Sequence, residues 1–199
     1  MTAEPDVTQT DPRPAIVICA WDVDEAGWDP VEDLSGEPWN PVGARTVAVP
    51  ADSPTHLADQ LSDHLRDPRC RALLLVGRTH RPGRFLLQLR AEHRAPDGSR
   101  SDHGTAPSVA RATAPIAEMV RALHDAGVPA EATSEADDDS GTFLLYSVLS
   151  GLPDGIDTPA IGVLRGPDDA SDAAFTRAVK TAAQAMARHM SPISRARAV

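Results

Sequence analysis

Cysteine, lysine, aromatic side chains and long apolar runs are all scarce in this sequence, and each scarcity closes off a class of protein. Two cysteines, Cys19 and Cys70, among 199 residues are too few for a disulfide framework or a zinc knuckle. Each lies in or beside an apolar run, as a buried thiol does. No stretch approaches the ~20 apolar residues that a membrane helix requires. The start of the chain is acidic and Pro-rich, without the basic end and apolar core of a secretory leader, so a cytoplasmic address is expected. Basic residues are outnumbered, with 19 Lys plus Arg against 29 Asp plus Glu and a formal charge of −10. That balance argues against nucleic acid and anionic membranes as partners. Lys180 is the one lysine, and the plentiful Ala, Arg, Asp and Pro suit a high-GC bacterial genome. No phosphate loop, dinucleotide fingerprint or zinc signature is present, so neither a cofactor nor a metal is expected.

What is there suffices for one core, since 41% of the residues are hydrophobic and the length is that of a single domain. Residues 1–14 are polar, contain three prolines and lack periodicity, so they are expected to be a disordered tail. The domain is expected over 15–190, followed by a flexible tail at 191–199. Ala15–Ala20, Arg71–Gly77 and Ala160–Leu164 are apolar runs of the kind covered on both faces of a sheet. Arg45–Val49, Phe85–Ala91 and Ala130–Thr133 read as further strands, and Gly77 as the turn that ends its strand. Helices are expected from Pro54 to about Arg66 with Ser53 as cap, over Pro115–Ala126 stopped by Gly127, over Phe143–Leu152 and over Ala170–Met190. Ala95–Pro107 reads as an exposed excursion. Strands alternating with helices give an α/β fold, a three-layer α/β/α sandwich around a mainly parallel, mixed sheet.

Four segments carry a family resemblance in sequence order. Pro115–Ala130 (PIAEMVRALHDAGVPA) resembles a segment of pyroglutamyl peptidase I, or pyrrolidone-carboxylate peptidase, the cysteine peptidase that removes N-terminal 5-oxoproline. Gly36-Glu37-Pro38-Trp39-Asn40-Pro41-Val42 resembles that family's Gly-x-x-x-Asn-Pro-Ser loop. Gly141-Thr142-Phe143-Leu144 resembles Gly-Thr-Tyr-Leu-Cys-Asn, and Gly162-Val163-Leu164-Arg165-Gly166-Pro167 resembles Gly-Phe-Ile-His-Val-Pro. The resemblance spans about Ile16 to Met190 and implies that family's fold, with dimers or tetramers as an expected assembly.

The residues that would carry the family's thiol chemistry are missing. Leu145 stands at the nucleophile position and has no lone pair with which to attack a carbonyl. Arg165 stands at the general-base histidine, and a guanidinium does not give up its proton at any working pH. Gln88 falls on the orienting glutamate, where a neutral amide cannot stabilise an imidazolium by charge. The glycine-rich turn is altered as well, reading Gly77-Arg78-Thr79-His80-Arg81-Pro82-Gly83. Losing such a unit removes orders of magnitude in rate.

The remaining candidates are for binding. Trp21, Trp28 and Trp39 sit in or beside one irregular acidic stretch that is either a ligand cover or a loop packed on itself. Trp21, Trp39, Asn40, His80, Phe143, Tyr146 and Arg165 are therefore the candidate ligand contacts. Arg165 is expected to pair with Asp168 or Asp169. Tyr146 and Ser147 lie near the vacated nucleophile position but have no identified base. Glu135, Asp137, Asp138 and Asp139 read as a solvated acidic loop rather than a cation site. His80, His93 and His103 with Arg78, Arg81, Arg84, Arg90, Arg94 and Arg100 read as a basic surface or partner patch. The expected protein is a pyroglutamyl peptidase-like, noncatalytic binder of a small amide, a peptide end or a protein partner. The alternative is a repurposed enzyme acting on an amide, a lactam or a biosynthetic peptide intermediate, with Arg165 and Gln88 stabilising an oxyanion. The two separate on whether Leu145 and Phe143 plug the old pocket or leave it open.

Overall fold

A computed structural model describes residues 11–21, 39–97, 99, 109–152 and 158–190. The order of elements is β1 (Ala15–Ala20), β2 (Arg45–Val49), α1 (Pro54–Arg66), β3 (Cys70–Thr79), β4 (Phe85–Gln88), β5 (Arg90–Glu92), β6 (Val109–Arg111), α2 (Ile116–Asp125), β7 (Ala130–Thr133), α3 (Ser140–Ser150), β8 (Ala160–Pro167) and α4 (Asp172–Met190). Six strands form one sheet in the order β2-β1-β3-β8-β4-β7. All neighbours run parallel except β4 against β8. Strands β5 and β6 form a separate antiparallel pair.

The two-residue period of the strands divides the core. Ile16, Ile18, Leu74, Val76 and Leu164 face α2 and α4. Val17, Cys19, Leu73, Leu75, Ile161 and Val163 face α1 and α3. Covering the sheet on both sides is why the central strands read as unbroken apolar runs. Leu57 and Leu61 are fully buried under α1, and each such side chain contributes roughly 1.5–3 kcal/mol. The three-layer α/β/α sandwich expected from the sequence is the one observed. Helix α3 is apolar nearly all round because the sheet covers one side while α1 and the β5–β6 pair cover the other, as for any helix buried on several faces. Among the described residues no helix is long and apolar enough to cross a membrane.

Several boundaries differ from expectation for identifiable reasons. Gly77 does not end its strand, because β3 continues to Thr79 while β8 continues to Pro167, and the two pair through that last position. The span 85–91 breaks at Leu89, where the chain leaves the main sheet for the β5–β6 pair. Ser53 does not cap α1 with its side chain. Asp52 instead accepts from the Ser53 N–H at 2.6 Å and lies 2.5 Å from Nδ1 of His56. Most of the expected excursion at 95–107 and both expected tails fall largely outside the described residues.

Helix α2 ends as its sequence demands. Gly127 adopts φ +73°, its N–H donates to the His124 carbonyl, and the Val128 N–H donates to the Leu123 carbonyl, both at 2.9 Å. This is a Schellman ending, with Val128 and Leu123 meeting in the core. Gly127→Ala is expected to lower stability by about 1 kcal/mol or somewhat more, read from the midpoint of urea denaturation. An unchanged midpoint would show that the left-handed cap contributes nothing.

Candidate functional site

The parallel strands β1, β2, β3 and β8 end on the same edge of the sheet, and the residues just beyond those ends line an open cleft of about 380 Å³. Trp21 follows β1, Asp52 and Ser53 follow β2, Arg78 and His80 come from the end of β3, and Asp168 follows β8. Asp139 and Ser140 enter from the start of α3. A crevice at the carboxyl ends of parallel strands is where open α/β sheets hold ligands.

Beneath the cleft lies a sealed polar cluster centred on Arg165. Strand alternation carries Trp21, Gly77, Gln88 and Arg165 to the side of the sheet that α3 covers, in step with Cys19, Leu75 and Val163. Arg165 is 1% exposed and Gln88 is fully buried. Oε1 of Gln88 accepts from Nε and Nη2 of Arg165 at 3.1 and 3.0 Å. Asp139 takes the other edge of the fork, with Oδ1 2.8 Å from Nη2 and Oδ2 in contact with Nη1. Nη2 also lies 3.2 Å from the Thr142 hydroxyl, which donates to the Asp137 carbonyl at 2.7 Å. Gln88 completes the set by donating Nε2–H to the Arg90 carbonyl at 2.7 Å. A buried guanidinium is tolerable only with its charge matched and its N–H groups engaged, and both conditions hold.

Asp139 has two tasks. Besides matching Arg165, it is the N-cap of α3, accepting the Thr142 N–H at 3.0 Å beside the positive end of the helix. The signal was present in Asp139-Ser140-Gly141-Thr142 ahead of an apolar run, a capping pattern hidden within an acidic stretch. The partner of Arg165 is therefore Asp139, not Asp168 or Asp169. Asp168 instead accepts from His80, whose Nδ1 is 2.8 Å away.

Trp21 closes the cluster from above. Its ring lies 4.9 Å from the Arg165 guanidinium carbon, a cation–π contact made stronger by burial. The indole fits there because two neighbours are glycine: a Cβ on Gly77 would meet it at 2.1 Å and one on Gly141 at 2.5 Å. Leu145 and Phe143 do not form the plug. Leu145 is fully buried in the core on the α1/α3 side and Phe143 packs on that core, while Trp21 with the Arg165–Asp139 pair fills the space.

The other candidates are dispersed. Trp39 packs against the opposite core, with the Lys180 ammonium 5.5 Å from its ring. Asn40 accepts the Thr46 N–H at 2.7 Å, blunting the edge of β2 rather than facing the cleft. Tyr146 stacks on His93 at 4.7 Å. Trp28, His103 and Arg100 lie outside the described residues. The acidic loop and the basic region satisfy each other: Arg81 contacts Glu135 and Asp137 at 2.5 and 3.2 Å, and Arg94 contacts Asp138 at 2.9 Å. With Asp139 on Arg165, all four carboxylates of the loop face arginines of the same chain, while Glu135 and Asp138 stay largely open to solvent at 74% and 73% exposure. Burial pushes the Cys19 thiol up to about 12 and the Cys70 thiol up to about 11, so neither supplies a thiolate.

No protein-family model matches the chain, and no curated protein matches it either. Solved structures do. It is similar to pyrrolidone carboxyl peptidase from Thermus thermophilus, with 18% identity, a TM-score of 0.59 and coverage of 85% of this chain and 98% of that one. It is similar to pyroglutamyl peptidase I from Bacillus amyloliquefaciens, with 16% identity, a TM-score of 0.66 and coverage of 89% and 98%. A mutant pyrrolidone carboxyl peptidase from the hyperthermophile Pyrococcus furiosus gives 15% identity, a TM-score of 0.68 and coverage of 89% and 100%. The fold is that of the pyroglutamyl peptidases. Within that pyroglutamyl peptidase fold, this chain places an ion pair under an indole, with leucine in the adjoining helix.

Gly77→Ala drives a Cβ into the Trp21 ring. The expected outcome is a loss of about 1–3 kcal/mol in stability with a red shift of tryptophan emission. Unchanged emission and stability would show that the indole is not seated on that glycine.

Proposed function

We propose that this protein is a pyroglutamyl peptidase-like binder without thiol acyl transfer, holding a small amide or a peptide end noncovalently in the cleft at the carboxyl edge of the sheet. The observation that carries this reading is the engagement of Arg165: its fork is matched by Asp139, Gln88 and Thr142 under Trp21. A side chain so engaged cannot act as a base, and its N–H groups are not free to meet an oxyanion. The reading in which Arg165 and Gln88 stabilise developing charge is correspondingly disfavoured. The cleft above remains open, floored by the largely buried Trp21 ring and bordered by polar groups in Asp52, Ser53 and His80, the mixture that small-ligand sites use.

Two measurements test the reading. Pyroglutamyl naphthylamide is expected to show no turnover, and Leu145→Cys alone is expected to restore none, because the neighbouring arginine still cannot accept a proton. Pyroglutamyl amide and short peptide amides are expected to perturb Trp21 signals in a saturable manner, about tenfold more weakly (about 1.4 kcal/mol) in Ser53→Phe, which obstructs the cleft. Turnover by the wild-type chain, or saturable binding indifferent to Ser53→Phe, would overturn it.

A further inference from the structure

His80 and Asp168 immediately follow Thr79 and Pro167, the last paired positions of β3 and β8. Two adjacent strands thus deliver an imidazole and a carboxylate side by side, with Nδ1 2.8 Å from Oδ2. A carboxylate that accepts from Nδ1–H fixes the tautomer and leaves the lone pair on Nε2. The imidazole is fully open to solvent, at 100% exposure, and it lines both the 380 Å³ cleft and an adjoining one of about 410 Å³ beside the acidic loop. Nothing in the sealed Arg165 cluster uses it. Ser53, on the same cleft, makes no capping bond with its side chain, so its hydroxyl is a donor for a bound carbonyl oxygen.

We propose that His80, oriented by Asp168, is a general base that activates water against a small ester, though not an amide, held in this cleft. The inference rests on the cleft being the ligand site, and it adds a reaction to that reading. Nε2 takes one proton from water as the water oxygen bonds to the carbonyl carbon, and the carbonyl π pair moves onto its oxygen near Ser53. When that pair returns, the bond to the leaving group breaks and the imidazolium gives its proton to the departing oxygen. The products are a carboxylic acid and an alcohol, with no change of oxidation state and no acyl-enzyme.

The charges around His80 set the pH dependence. Asp168 raises the proton affinity of the imidazole above the ordinary histidine value through its hydrogen bond, and Asp137 and Asp139 act in the same sense. Arg78 and Arg81 flank it from its own strand and loop, Asp138 faces it from the acidic loop, and Asp52 lies across the cleft. Only the neutral imidazole acts as a base, so the rate rises with pH through this elevated value. Removing the Asp168 charge moves that rise to lower pH.

The probe is 4-nitrophenyl acetate with the full-length protein. His80→Gln, at an exposed position, is expected to fold normally and to lower the rate by about 100-fold, whereas His64→Gln on the surface of α1 leaves it unchanged. Asp168→Asn is expected to lower the rate and shift its acidic limb downward in pH. Equal rates in His80→Gln and wild type, an equal loss in His64→Gln, an unmoved limb in Asp168→Asn, or an acetyl adduct on the protein would each overturn the proposal. Peptide-amide binding that survives in an inactive His80→Gln variant separates failure of this step from failure of the binding site.

Discussion

The architecture of the cleft depends on one buried charge being matched. Arg165 points from the end of a central strand into a region closed to bulk solvent, and an isolated guanidinium there would cost far more than the domain's net stability. Asp139 removes that penalty, and in doing so fixes the start of α3, because the same carboxylate is the helix cap. Gln88 accepts from Nε and Nη2, and the Thr142 hydroxyl lies against Nη2, which ties β4, β8 and α3 together at one point. Trp21 then shields the cluster from solvent, and two glycines allow it to approach.

This arrangement puts the proposed lack of thiol acyl transfer in physical rather than merely compositional terms. A cysteine peptidase needs a nucleophile with a lowered pKa and a base that exchanges protons. Here the two cysteines lie in the apolar layers with their pKa values raised, and the guanidinium cannot exchange its proton. What is left for chemistry or recognition lies one layer outward, on the residues that follow the strand ends. There His80 and Asp168 are paired in the open, held by the same strand register that positions Arg165.

The sheet was legible in the sequence because its central strands are covered on both faces, and such strands can hardly be written except as continuous apolar runs. Strand ends were less legible. Arg78-Thr79 and Arg165-Gly166-Pro167 carry no strand pattern of their own and are extended because they pair with each other. That Leu145, Arg165 and Gln88 stand where the resemblance leads one to expect a nucleophile, a base and an orienter could be read one residue at a time. What replaces them could not, since the choice of Asp139 over Asp168 as partner is a matter of three-dimensional register, and an acidic run looks the same whether it meets water or arginines. The tryptophans carried the same ambiguity. Trp21 and Trp39 read as one cover, yet they lie against opposite cores.

The ion pair itself is measured most directly by a double-mutant cycle in urea denaturation, using Asp139→Asn, which preserves a capping side chain, and Arg165→Met. With Arg165 present, Asp139→Asn should destabilise the protein by about 3–5 kcal/mol, and with methionine in its place the same change should cost little. Additive effects, agreeing within about 0.5 kcal/mol, would show that the two side chains do not depend on one another and would contradict the account.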